Sequence, residues 1–185
     1  MNHSDKYKLC VVIPCYNVSK HIEEVINGLP KEINCVIAVN DCSTDNTISI
    51  LEHLAASNNS IYIVNHAINQ GVGGAMITGY KKSLELGMDI TIKMDGDGQM
   101  DAANINKLIQ PLVEGKADFS KGNRFRDLRA LQAMPPVRRI GNLGLSFLIK
   151  AASGYWNIFD PTNGFTAIKN ETLAAVNFNK LHKRY

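Results

Sequence analysis

The chain of 185 residues is 45% apolar and 20% charged. That is the make-up of an ordinary soluble domain, able to bury roughly 70% of its unfolded surface without a disulfide or metal staple. Its 20 Lys+Arg against 17 Asp+Glu leave a net charge of +3, too weak a bias to indicate a nucleic-acid partner. The polar start Met1–Lys8 carries no signal-peptide pattern. The longest near-apolar stretch, Ile140–Phe159, is broken by Asn142, Lys150, Asn157 and three glycines, so no transmembrane anchor is expected.

Lys8–Ile13 reads as a buried strand, ended by Pro14, which cannot donate to a ladder. Ser19 is placed to cap a helix through Leu29, with Ile22, Val25, Ile26 and Leu29 on one face. Cys35–Asn40 is the second strand, Thr47–Ala56 the second helix, and Ile61–Asn65 the third strand. Gly71–Leu86 is a helix with a glycine-rich start, followed by a strand over Ile90–Met94, a helix over Asp101–Glu114 and a short strand over Ala117–Lys121. Beyond it come a basic loop, a helix around Val137–Ala152, the turn-rich Asp160–Gly164, a strand over Phe165–Lys169 and a helix from Glu171.

Strands this apolar are covered on both faces, which implies an α/β fold whose mostly parallel sheet is joined by helical crossovers. With no linker or repeat, residues 1–185 read as one domain. The four cysteines, Cys10, Cys15, Cys35 and Cys42, match no zinc spacing and fall largely in or beside apolar runs. Buried reduced thiols in a cytosolic protein follow. The five histidines are scattered without a catalytic partner and read as surface or structural residues.

In open parallel sheets, ligands bind beyond the carboxyl ends of the strands, and the polar residues collect there. Strand one opens into Pro14-Cys15-Tyr16-Asn17, strand two ends in Asn40–Asp45, strand three is followed by Asn69–Gly74, and strand four runs into Asp95-Gly96-Asp97-Gly98-Gln99. Asp95 and Asp97, on a loop made supple by two glycines, can face one hard divalent cation, with Gln99 as a third oxygen donor. The plainer reading is a solvated Asp-Gly turn before a helix cap. A calcium loop fails, because Met100 stands where it needs Gly and Asn106 where it needs Glu. A haloacid-dehalogenase-type phosphatase also opens Asp-x-Asp after a strand but expects Thr or Val at Gln99.

Gly71–Met76 nearly spells a dinucleotide fingerprint, yet Met76 replaces its last Gly and five residues separate it from the strand. Of the two carboxylates after strand two, Asp45 suits a helix cap and Asp41 a ligand contact. Arg124, Arg126, Arg138 and Arg139 suit anionic oxygens or a solvated basic surface.

Together these residues resemble a family-2 glycosyltransferase of the GT-A fold, from Val11 to about Ile168. VVIPCYN is similar to the family's opening strand and turn. VNDCSTDNT is similar to its V-[ND]-D-G-S-x-D-x-T, with Cys42 in place of Gly. NQGVGGAMITGY resembles N-x-G-x-G-x-A-x-x-x-G, and MDGDGQMDAANI resembles D-A-D-x-Q-h-x-P without the Pro. GNRF (Gly122–Phe125), RRIGN (Arg138–Asn142) and DPTNGFTAI (Asp160–Ile168) resemble the subfamily that makes polyprenyl-phosphate sugars, with Thr166 where Arg is usual.

The resemblance implies a nucleotide-sugar-binding half over 1–120 and a partial acceptor half over 121–185, since family members continue past the Gly-Phe motif. It places Pro14, Tyr16, Asn17, Asp41, Asn69, Gly71, Gly73, Asp95 and Gly96 around the donor. Asp95, Asp97 and Gln99 would hold Mg²⁺ or Mn²⁺ on its diphosphate. Asp97, Arg124, Arg139 and Asp160 would be catalytic, the arginines offsetting phosphate charge and Asp160 standing where some inverting relatives have a base. The implied reaction is an inverting transfer from a UDP- or GDP-sugar to polyprenyl phosphate or another envelope-glycan acceptor, at the cytoplasmic face. The apolar face at Leu143, Leu145, Phe147, Leu148 and Ile149 reads either as a peripheral membrane or lipid contact or as core packing. A homo-oligomer is compatible with this reading. A non-catalytic nucleotide-sugar-binding module or truncated fragment is the alternative from another class.

Overall fold

The computed structural model describes residues 6–123, 136–154 and 163–182, with backbone alone at 136–140, 142, 143 and 153. β1 (Leu9–Cys15) is its centre: Leu9, Cys10, Val11, Val12, Ile13 and Cys15 are all completely buried. It pairs in parallel with β2 (Ile33–Asn40) on one side and β4 (Ile90–Lys93) on the other. β3 (Ile61–Asn65) adds to β2, also in parallel. β6 (Thr166–Lys169) runs antiparallel beside β4, and β5 (Phe119–Lys121) closes the far edge, giving the order β3-β2-β1-β4-β6-β5.

Alternation along the strands sorts their side chains onto two faces. Leu9, Val11, Ile13 and Cys15 of β1, with Val36 and Ala38 of β2, belong to one core. That core is roofed by α1 (Ile22–Asn27), α2 (Thr47–Ser57) and α4 (Ile105–Val113), through Ile22, Val25, Ile26, Leu51, Leu54, Ile105, Leu108, Ile109 and Leu112. Cys10, Val12, Cys35, Ile37 and Val39 face the other way, under Ala75 and Met76 of α3 (Gly71–Glu85). The expected fold, a mostly parallel sheet with helices on both faces, is the one observed.

The C-terminal strand and helix are fastened to this body. Ser83 of α3, Thr91 of β4 and Asn170, which begins α6 (Asn170–Ala174), close a buried ring of hydrogen bonds at 2.5, 2.6 and 3.1 Å. A buried polar group costs free energy unless it is paired, so this ring ties three elements to one arrangement. The chain divides into two compact units, Met1–Ser120 with Phe165–Tyr185, and Lys121–Gly164. The second contains α5 (Pro136–Ser153), on which Leu145, Phe147, Leu148 and Ile149 are exposed. Among the described residues no helix is long and apolar enough to cross a membrane.

Three local expectations are corrected. Pro14 does not end its strand: β1 runs on to Cys15, with Pro14 opposite Val39. Val12 faces β4, its carbonyl accepting from Met94, so Pro14 two residues on faces the same side, where the β4 ladder has already ended at Lys93. Its missing N–H therefore costs no ladder bond. Ser19 is not the cap: α1 begins only at Ile22, with His21 at the N-cap position and no side-chain cap bond, and the Ser19 N–H is bonded to Asp45. The helix expected from Asp101 opens as a 3₁₀ turn, Ala102–Asn104, with Asp101 accepting from the Ala103 N–H, before α4 proper.

Candidate functional site

The carboxyl ends of β1, β2 and β4 and the amino end of α3 surround a cleft of about 350 Å³. Pro14, Tyr16, Asp41, Asn69, Gly71, Asp95, Gly96 and Asp97, all expected at the site, line it together with Cys15, Val18, Val72 and Ala75. Asn17, Gly73 and Gln99 lie outside this lining. Arg124 and Asp160 are outside the described residues, as is the Arg139 side chain.

Asp41 organises the α3 side. Its carboxylate is 3% exposed as a residue and accepts from the Gln70 N–H at 2.9 Å and the Gly71 N–H at 2.8 Å. His66 Nδ1 donates to Asp41 Oδ1 at 2.6 Å, while its Nε2 lies 2.9 Å from the Thr78 hydroxyl. Asn69 Nδ2 donates to the Asp41 carbonyl, and Asn69 Oδ1 accepts from Gly71. The turn so held has Gly71 at φ +80°, a left-handed conformation that glycine adopts without strain. His66 has the structural role expected of the histidines, but its place behind the predicted ligand-contacting aspartate was not foreseen.

The β1 side is stitched to the β2 side. Asn17 Oδ1 accepts from the Thr44 N–H at 2.8 Å, Ser43 Oγ accepts from the Asn17 N–H, and Thr47 Oγ1 accepts from the Val18 N–H. Asp45 accepts from the Ser19 N–H with one oxygen and from the N–H and hydroxyl of Thr47 with the other. It thus caps the head of α2, as the sequence implied, and also clamps the neighbouring loop. Desolvation pushes the Asp45 carboxyl up, but the hydrogen bonds from Thr47 and Ser19 outweigh it and bring it down to about 2. Asn17 and Cys42 both take positive φ, 54° and 60°, which is where the resemblance expects glycine at Cys42.

Asp95 and Asp97 follow β4 directly. The Asp97 carboxylate accepts from the Gln99 N–H at 3.0 Å, and Gly98 sits at φ +75°. The Asp95 side chain is 33% exposed and paired with Lys93, Nζ to Oδ1 at 2.5 Å. Lys93 was missed in the sequence because it reads as one polar position inside an apolar strand. Two carboxylates opening on a cleft give hard oxygen donors suited to Mg²⁺ or Mn²⁺, and a bound diphosphate would complete the shell. No group of three or more His, Cys, Asp and Glu able to hold a metal occurs among the described residues; the pair fits a cation shared with a ligand rather than a closed protein cage.

All four cysteines are free, and Cys10, Cys15 and Cys35 are buried, as expected. Burial pushes the Cys15 thiol up to about 12, so the thiol lining the cleft is neutral and no nucleophile.

A cleft at the strand ends of this sheet, with an acidic pair after β4 and a glycine turn anchored by a buried aspartate, defines a nucleotide-handling α/β domain. The chain belongs to glycosyl transferase family 2, which matches residues 10–176. It is 35% identical over 188 aligned residues to a UDP-N-acetylglucosamine–dolichyl-phosphate N-acetylglucosaminyltransferase of Methanococcus voltae, covering 95% of this chain and 74% of that protein. It is 25% identical to an undecaprenyl-phosphate mannosyltransferase of Micrococcus luteus, covering 96% and 72%. Among solved structures, glucosyl-3-phosphoglycerate synthase of Mycobacterium tuberculosis, in complex with Mn²⁺, UDP and glucosyl-3-phosphoglycerate, superposes with a TM-score of 0.67 at 19% identity. That match covers 94% of this chain and 61% of the synthase, and it establishes the GT-A fold. The family membership leaves the phosphatase alternative without support.

Proposed function

We propose that the chain transfers a sugar from a UDP- or GDP-linked donor to a polyprenyl-phosphate acceptor, with inversion and with a divalent cation. The observation that carries this reading is the convergence of Asp95 and Asp97 with the Asp41-anchored glycine turn on one cleft. Tyr16 and Val72, 53% and 43% exposed on the cleft wall, offer apolar surfaces for a nucleobase. Gly71 takes the left-handed turn at the cleft, which Asp41 holds in place, while Gly96 leaves little room for a Cβ beside Ile13 and Ile22. Mg²⁺ or Mn²⁺ held by Asp95 and Asp97 would offset the charge that develops on the leaving nucleoside diphosphate. A phosphate acceptor is already anionic and needs little general-base help, in keeping with a cleft that contains no histidine and a neutral cysteine. The names of the polyprenyl-phosphate relatives support the acceptor class. Arg124, Arg139 and Asp160 keep the roles that the resemblance implies: charge compensation for the first two and a base for the third. Peripheral contact with the cytoplasmic face of a membrane would bring the acceptor within reach.

The test is transfer from labelled UDP-N-acetylglucosamine and GDP-mannose to polyprenyl phosphate in Mn²⁺, comparing the wild type with Asp97→Ala. A loss of at least about 100-fold is expected from removing a ligand of the charge-stabilising ion. Full activity in Asp97→Ala would overturn the metal role. Calorimetry that detects UDP or GDP binding without any turnover would favour a binding module instead.

A further inference from the structure

We infer that Lys93 is a built-in counter-cation of the acidic pair, a positioning residue that sets how tightly the cleft takes a divalent ion. The inference rests on the donor-site reading of Asp95 and Asp97. Lys93 ends β4 and Asp95 follows two residues on, and the ammonium meets Asp95 Oδ1 at 2.5 Å. Lys93 does not itself line the cleft, whereas Asp95 does, so the ammonium stands behind the carboxylate.

Among the described residues its surroundings show no other ion-pair partner. Lys93 is flanked in the sheet by Val12 of β1 and Thr166 of β6, one apolar and one neutral. Among the described residues its ion pair is with Asp95 alone. The Lys93 side chain is 15% exposed and that of Asp95 33%, so their attraction is screened less than between fully solvated charges. Asp95 and Asp97 therefore present to the cleft about one net negative charge rather than two. A divalent ion must share Asp95 with the ammonium or displace it. A diphosphate arriving with the ion supplies the missing negative charge, which makes the two bind as a pair.

The test is a Mn²⁺ titration of the nucleotide-free protein, followed by calorimetry and by the electron paramagnetic resonance of free Mn²⁺, for wild type, Lys93→Gln and Lys93→Arg. Lys93→Gln is expected to bind Mn²⁺ at least about fivefold more tightly, as removal of a unit charge a few ångströms away requires. Lys93→Arg is expected to return to the wild-type affinity. Lys93→Met, of similar length and wholly apolar, replaces Lys93→Gln should the latter not fold. A merely structural lysine would lower the melting temperature on substitution without tightening Mn²⁺. Equal or weaker Mn²⁺ binding by the neutral variants overturns the role of Lys93 and leaves the acidic pair as a metal site. Absence of Mn²⁺ binding in every form, with or without UDP, overturns both.

Discussion

Asp41 and Asp45 stand four residues apart on one loop, yet they hold different neighbours. Asp41 reaches across to the α3 turn and His66, and Asp45 reaches back to Ser19 and forward to Thr47. Charge-assisted hydrogen bonds of this kind contribute about 1.5–3 kcal/mol each when shielded and less in solvent. For Asp45 they lower the carboxyl from an ordinary 3.8 to about 2, against the pull of desolvation. A carboxyl that is more acidic in the fold than in the unfolded chain stabilises the fold at pH above about 4. That contribution is lost as pH falls from about 4 through 2. Because Asp45 is only partly shielded, solvent screening limits it to about 1 kcal/mol. Urea unfolding of wild type and Asp45→Asn is expected to separate the two proteins at pH 7 and to narrow that gap progressively as pH falls from about 4 through 2. A gap that persists at low pH would mean that the carboxylate's charge is not what Thr47 and Ser19 recognise.

At the scale of elements, the packing of α3 on β1 governs how the glycine turn is aimed. Gly79 sits where an added Cβ would fall 2.2 Å from Val12 Cγ1, and Val12 is completely buried. Gly79→Ala is therefore expected to lower stability by about 1–2 kcal/mol in denaturant unfolding, the overpacking cost exceeding the gain in helix propensity. An unchanged or raised midpoint would refute so close an approach. Elements like these were legible in the sequence wherever one segment contained its own signal. β1 to β4 are apolar on both faces, and the glycines of α3 carry the spacing that close helix–strand contact demands. What escaped was set by neighbours distant in the chain. Ser19 has the chemistry of a cap, but it stands three residues ahead of α1, in a loop clamped to Asp45, 26 residues on. His66 gains its meaning from strand adjacency, which brings Asp41 to it. No local pattern records that adjacency. Cys42 is the converse: its place in a motif that usually has Gly marked the position, and the φ of 60° gives the reason.

At the scale of the whole molecule, the two units differ in what they present. The sheet-bearing unit buries its apolar residues in two cores, whereas α5 exposes Phe147 at 60% and Leu148 at 64%, with Leu145 and Ile149 beside them. Exposed apolar side chains on a helix are suited to contact with a lipid surface, and the polyprenyl-phosphate acceptor proposed above would bring the chain to one. Leu148→Glu is expected to reduce cosedimentation with anionic phospholipid vesicles several-fold while leaving UDP binding in place. Undiminished vesicle binding would assign this face to another contact.

The antiparallel return of β6 beside β4 has a consequence for how such a chain can diverge. β5 and β6 are sheet neighbours, with the Lys169 N–H bonded to the Asp118 carbonyl, so everything from 122 to 165 leaves and re-enters the sheet at adjacent posts. Loop-closure entropy rises only with the logarithm of length, about 0.6 kcal/mol for each doubling. The excursion can lengthen, shorten or be rewritten almost without penalty to the six strands. The sheet that carries the cleft can thus persist while the excursion between its adjacent edge strands is rewritten.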